Sequence, residues 1–181
     1  MGIDMDFKDS ETYKNLRMAY DGERMASTKY RIYSDKARKD GYEEIGNVFD
    51  ETAGNEKEHA EIWLKYLNQG AVPDTLANLT DSYQGESYEW RKMYPEYAET
   101  AMREGYPQLA KLFREVAKIE QHHEYRFKEE AQDIMDRMVF CKGKNTVWIC
   151  MNCGNLYYGA CAPEKCPVCG YPQGYYTVLE M

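Results

Sequence analysis

From Ser10 to about Arg137, apolar residues recur every three or four positions, the period of a helix with one inward face. Leu16, Ala19, Ala26 and Tyr30 form one such stripe. Ile45, Val48, Phe49, Thr52, Trp63 and Leu67 form a second; Tyr83, Met93 and Tyr97 a third; Leu112, Phe113, Val116, Ile119 and Phe127 a fourth. The stops agree. Ser10 caps a first helix reaching about Asp40, and Gly41 ends it. A second helix runs from about Tyr42 to Asn68 and closes at Gly70. Ala71 to Thr80, with Pro73, reads as a crossover. A third helix, capped by Thr80 or Asp81, ends at Gly105, and Pro107 opens a fourth that reaches about Arg137.

The two halves repeat. DGYEEIGNVFDETAGNEKEH (40–59) aligns with EGYPQLAKLFREVAKIEQHH (104–123), and upstream Gly22-Glu23 aligns with Gly85-Glu86 at an offset of one residue. Two helical hairpins of this kind make a four-helix bundle. The extra residue predicts a bulged turn in the third helix near Pro95, which has no N–H to give. Beyond Gly143 the pattern becomes short, Gly- and Pro-rich and aromatic, as in turns and short strands. So small a segment cannot bury a sufficient core and calls for a metal staple. The expected class is mainly α: a four-helix bundle over 1–140 and a small β-rich metal domain over 141–181.

The chain has 181 residues, 43% hydrophobic and 30% charged, with a formal net charge of -8. That acidity argues against nucleic acid as a partner, since phosphate binding needs concentrated Lys and Arg. No apolar run is long enough to span a membrane. The polar, acidic start MGIDMDFKDSETYKN lacks the build of a signal peptide, so a cytoplasmic protein is expected.

The stripes also carry acids. Glu23 lies on the first, Glu56 and His59 on the second, Glu86 and Glu89 on the third, Glu120 and His123 on the fourth. Ionised carboxylates inside a core are costly unless cations neutralise them. Two ferrous ions bring four positive charges and two ferric ions six, so five carboxylates nearly balance the pair in either state. Glu56-x-x-His59 and Glu120-x-x-His123 each place both side chains on one face, and they fall at matching places in the repeat. With one Glu from each of the other two helices, Glu23 and Glu86 or Glu89, this is a di-iron carboxylate pattern. His122 points off the stripe and reads as a surface residue or as one that supports the ligands from behind. Tyr30 and Tyr94 are placed to hydrogen-bond ligand carboxylates or to fill the core.

Six cysteines are present, four of them in two knuckles, Cys150-x-x-Cys153-Gly and Cys166-x-x-Cys169-Gly. The spacing presents four thiolates to one metal. Tetrahedral sulfur coordination suits iron or zinc. The neighbouring Trp148, Tyr157 and Tyr158 and the attached di-iron pattern favour iron, with zinc as the substitute. Cys141 and Cys161 stand outside the knuckles and read as small fillers.

On GERMASTKY, NEKEH, GESYEWRKMYPEYAETA, IEQHHEYRF and the two knuckles, the chain resembles rubrerythrin: a ferritin-like bundle followed by a rubredoxin-like domain. The resemblance implies that Glu86 and Glu89 both bind iron. It also implies that Glu89 in the oxidised form and His59 in the reduced form exchange at one iron, and that Glu56 and Glu120 bridge the pair. It implies reduction of hydrogen peroxide to water, with electrons relayed through Fe(Cys)4 from a reductase or rubredoxin-like donor drawing on NAD(P)H. A homodimer or larger homo-oligomer is implied too, with helix exchange between subunits open. Ferrous-iron oxidation and storage, and a zinc-ribbon binding module, are the competing functions.

Overall fold

The computed structural model describes residues 6–179; the first five residues of the acidic start, read as no signal peptide, lie outside the described residues. The chain divides into two compact units, meeting in sequence at Pro73 and Asp74.

The first unit is a hairpin of α1 (Glu11–Lys39) and α2 (Glu43–Leu67). Ser10 caps α1 as expected, its Oγ accepting from Tyr13 N–H at 3.1 Å. Lys36, Arg38 and Lys39 occupy the last turn, where the helix dipole favours cations. Gly41 at φ +89° turns the chain so that Tyr42 N–H reaches back to Ala37 O at 2.9 Å.

The helices meet on small residues: Ser27, Ser34 and Ala37 against Gly46, Ala53 and Ala60, all buried. Two buried hydroxyls donate across the seam, Ser27 to Ala53 O (2.8 Å) and Ser34 to Gly46 O (3.0 Å). Arg38 lies over Gly46, where a Cβ would stand 2.9 Å from Arg38 Cγ. Its guanidinium reaches Asn47 (2.8 Å), Asp50 (2.9 Å) and Glu43 (3.3 Å).

The second unit begins earlier than the sequence suggests. The crossover expected over 71–80 is shorter, because Asp74, not Thr80 or Asp81, caps the next helix by accepting from Ala77 N–H at 2.9 Å. α3 (Thr75–Tyr88) runs into a π turn, Glu89–Met93, and then α4 (Tyr94–Arg103). This is the bulge foreseen near Pro95. Tyr94 N–H bonds Glu89 O five residues back, and Pro95 follows at once with no N–H to offer. The turn absorbs the odd residue of the repeat: 63 residues separate Glu23 from Glu86, and 64 separate Tyr30 from Tyr94.

α5 (Pro107–Met135) packs against both α3 and α4, with Ala98, Ala101, Ala110 and Phe113 at its tightest point. Gly105, at φ +85°, repeats the turn of Gly41, and Tyr106 N–H bonds Ala101 O at 2.8 Å. Among the described residues no helix is long and apolar enough to cross a membrane. The large stripe residues Ile45, Val48, Tyr97, Leu112 and Ile119 are exposed, while small residues fill the buried seams: Ser, Ala and Gly in the first hairpin, Ala98, Ala101 and Ala110 in the second.

The C-terminal part is an antiparallel sheet of β1 (Val147–Cys150), β2 (Leu156–Tyr158) and β3 (Tyr176–Val178), in the order β2-β1-β3. Its core is Trp148, Cys150, Ala162, Cys166 and Tyr176, with Phe140 packed against it. Cys141 and Cys161 are not fillers. They face each other in an isolated antiparallel bridge and form a disulfide. Lys142 N–H to Ala160 O and Ala162 N–H to Phe140 O (2.9 and 2.8 Å) set the two residues opposite.

Replacing Ser34 with Ala should cost about 1 kcal/mol, the worth of one buried hydrogen bond. Gly46→Val should cost about 2 kcal/mol by displacing Arg38. Urea unfolding followed by circular dichroism measures both.

Candidate metal centres

In the first unit, α1 supplies Glu23 and α2 supplies Glu56 and His59. His59 Nδ1 lies 2.8 Å from Glu56 Oε2 and 3.9 Å from Glu23 Oε1. In the second unit, α3 supplies Glu86 and α5 supplies Glu120 and His123. There His123 Nδ1 lies 2.7 Å from Glu120 Oε2 and 3.7 Å from Glu86 Oε1. Each trio offers three ligand atoms within 4.8 Å of one another. The carboxylates are mostly buried, while His59 is half exposed, so each trio is drier on its carboxylate side than on its histidine side.

The surroundings repeat as well. Tyr30 and Phe49 stack at 6.1 Å and 34°, as do Tyr94 and Phe113. Tyr33 meets Phe49 edge-on at 5.6 Å, as Tyr97 meets Phe113 at 5.7 Å. Glu89, at the head of the π turn, stands outside the second trio, yet its charge bears on both Glu86 and Tyr94. His122 is exposed. Glu124, beside His123, was not a candidate; it accepts from Trp90 Nε1 and lies 3.8 Å from Arg91. Its position next to a ligand-type histidine was the only signal.

Burial raises the Glu86 pKa above the usual carboxylate range, and the charge and hydrogen bond of Glu120 and the charge of Glu89 add to this; His123 opposes them. Tyr94 is likewise raised, by burial first and then by Glu89, Glu120 and Glu86. Without a cation, then, ionisation of Glu86 and Tyr94 is disfavoured in this cluster.

The four knuckle sulfurs converge within 4.8 Å. Cys150 Sγ is 3.8 Å from Cys169 Sγ, and Cys153 Sγ is 3.6 Å from Cys166 Sγ. A tetrahedron of metal–sulfur bonds of about 2.3 Å has edges of about 3.8 Å, so the donors fit one tetrahedral metal. Gly154 (φ +74°) and Gly170 (φ +73°) close the two knuckles alike, bonding back to Cys150 O (2.8 Å) and Cys166 O (2.9 Å).

The site is lopsided. Cys150 and Cys166 are buried against Trp148 and Tyr176, whereas Cys153 is exposed. Burial works against the Cys166 thiolate, but hydrogen bonds from the Tyr176 hydroxyl and the Cys169 and Val168 N–H groups outweigh it and bring the pKa to about 6. For Cys153 the Asn155 N–H favours the thiolate, but proton sharing with the other thiols and burial push it to about 12. After the Tyr171 N–H, the Asn152 side chain also hydrogen-bonds Cys169 and helps to lower its pKa; neither Asn152 nor Asn155 nor Tyr176 stands out in the sequence as a site residue. Asn152 lies inside a knuckle, which was a usable hint; nothing in the spacing marks the other two.

Two matched carboxylate–histidine trios on helical hairpins, ahead of a four-thiolate sheet domain, define a class: a mainly α, ferritin-like metalloprotein carrying a rubredoxin-like module. Family models agree. One described as Rubrerythrin matches residues 14–131, and one described as Rubrerythrin, rubredoxin-like domain matches 148–177. The chain is 42% identical over 188 residues to a rubrerythrin of Clostridium perfringens, covering 96% of each chain. It is 38% identical over 183 residues to a rubrerythrin of Nitratidesulfovibrio vulgaris, covering 95% of this chain and 96% of that one. Nigerythrin of the same organism is 31% identical over 180 residues, covering 92% of this chain and 85% of that one. The chain belongs to the rubrerythrin family, whose members are oxidoreductases, and both of its domain types are iron-binding.

The raised pKa gives a sign for pH dependence. A carboxyl whose folded pKa lies above its ordinary value of 4.5 favours folding below that value, and the benefit is lost as pH rises through the folded pKa. Metal-free Glu86→Gln, neutral at every pH, should therefore match the parent in melting temperature near pH 4 and exceed it increasingly towards pH 8. Thermal scans across that range check this. Stripping metal from the knuckles should abolish amide-exchange protection in β1, β2 and β3 while α1 and α2 keep theirs, because the sheet core is small.

Proposed function

We propose that this chain is a non-haem peroxidase that reduces hydrogen peroxide to water at a pair of irons. Electrons would come through a Fe(Cys)4 centre from a reductase or rubredoxin-like protein drawing on NAD(P)H, in a cytoplasmic homodimer or larger homo-oligomer. The supporting observation is the presence, in one chain, of two matched Glu/Glu/His trios and a tetrahedral four-sulfur site. Glu23, Glu56 and His59 would hold one iron and Glu86, Glu120 and His123 another, with Glu89 beside the second trio. Cys150, Cys153, Cys166 and Cys169 would hold the third.

Iron held by the two trios would supply two-electron chemistry towards the O–O bond, and iron held by Cys150, Cys153, Cys166 and Cys169 would supply a one-electron relay. The overall change, one peroxide with two protons and two electrons giving two waters, also demands protons. The Tyr94 hydroxyl stays protonated beside Glu89, Glu120 and Glu86, and can hydrogen-bond an incoming oxygen or a ligand carboxylate. Phe49 and Phe113 pack against Tyr30 and Tyr94 and hold the two rings in matching places.

Ferrous-iron storage has no use for the four-thiolate site, and a zinc-ribbon module has none for the trios. The test is anaerobic stopped-flow mixing of fully reduced protein with stoichiometric peroxide. Both centres should reoxidise rapidly, and the absence of reoxidation would end the proposal. Glu120→Ala should lose the helical iron and at least about a hundredfold in rate while retaining the red ferric-tetrathiolate colour. Many irons per chain would point to storage, and a colourless four-sulfur site to zinc.

A further inference from the structure

Tyr176 is 4% exposed and sits in the core of the C-terminal sheet, paired in register with the knuckle residue Cys150. Its hydroxyl accepts from Asn155 Nδ2 at 3.1 Å. That uses an oxygen lone pair and leaves the hydroxyl proton to be placed. A buried hydroxyl proton needs an acceptor, and the group it meets is the Cys166 sulfur, with which Tyr176 shares a side-chain hydrogen bond. Asn155 is itself half-buried and lies just past the first knuckle, so amide, hydroxyl and sulfur form a directed chain. The amide fixes the rotor, and the rotor aims its proton at the metal-ligating sulfur.

We propose that Tyr176, oriented by Asn155, sets the reduction potential of the four-cysteine centre. The proposal rests on that centre holding iron. A ferric ion with four thiolates carries a net charge of -1, and taking up one electron from a donor makes it ferrous at -2, with no proton transferred. A hydrogen-bond donor fixed on one sulfur stabilises the more negative state more, so it favours reduction. Because Cys166 is 3% exposed, water cannot replace the donor when it is removed. The role is distinct from packing, since Phe at this position would keep the ring and the core.

The test is a redox titration of the full-length iron-loaded chain, following the visible absorbance of the ferric tetrathiolate. Tyr176→Phe should lower the equilibrium constant for reduction about tenfold, about 59 mV for a one-electron couple. Asn155→Leu, which frees the rotor but keeps the hydroxyl, should shift it the same way by less. Both shifts should be the same at pH 6 and pH 8, because no proton moves with the electron. An unshifted or raised potential in Tyr176→Phe overturns the proposal. Should that variant fail to bind iron, Asn155→Leu decides alone, and no lowering there overturns it. A parent chain that comes out colourless, with zinc on the cysteines, removes the iron reading and this inference together. A red parent with an unshifted variant removes the inference only.

Discussion

Mutual repulsion of inward-facing carboxylates is the constraint around which the helical part is built. Each hairpin turns two glutamates and a histidine to one place, and each glutamate keeps most of its surface from water. Left without a cation, the cluster in the second hairpin disfavours the ionised forms of Glu86 and Tyr94. Charge that would unsettle a core is compatible with it only when protons or metal ions compensate. The histidine of each trio is within hydrogen-bond reach of its i, i+3 glutamate, so helix geometry alone delivers two members of each trio.

The second constraint is the repeat and the place where it is broken. Trios, tyrosines and phenylalanines recur with nearly the same distances in the two hairpins. One inserted residue between Glu86 and Tyr94 is taken up as a π turn whose first residue is Glu89. A π turn exposes a backbone irregularity that a plain helix would not tolerate without function. Here it adds a third carboxylate to one half of the repeat and none to the other, so the two halves are related but chemically unequal.

The C-terminal sheet solves a different problem, which is how so few residues stay folded. Its core is five buried residues, two of them knuckle cysteines. The knuckles bring four sulfurs to tetrahedral spacing, and the Cys141–Cys161 disulfide holds the preceding segment against the loop before the second knuckle. Burial of Cys150 and Cys166 beside exposed Cys153 gives the site a dry side and a wet side. Hydrogen bonding to the sulfurs therefore comes from protein on one side and is open to solvent on the other.

The sequence by itself determined the helices, their caps at Ser10 and Gly41, the bulge before Pro95, both Glu-x-x-His pairs and the four knuckle cysteines. All of these depend on local spacing, where period, backbone turns and ligand geometry act over a few residues. The length of the crossover was misjudged because Asp74 and Asp81 are equally good caps until packing selects one. Cys141 and Cys161 were missed because their pairing across 20 residues depends on a strand bridge that no local rule specifies. Only the tertiary structure decided that disulfide, the closure of the hairpins on Ser, Ala and Gly, and the meeting of Asn155, Tyr176 and Cys166. Those contacts join residues distant in the chain, and their geometry exists only once the sheet and the hairpins have formed.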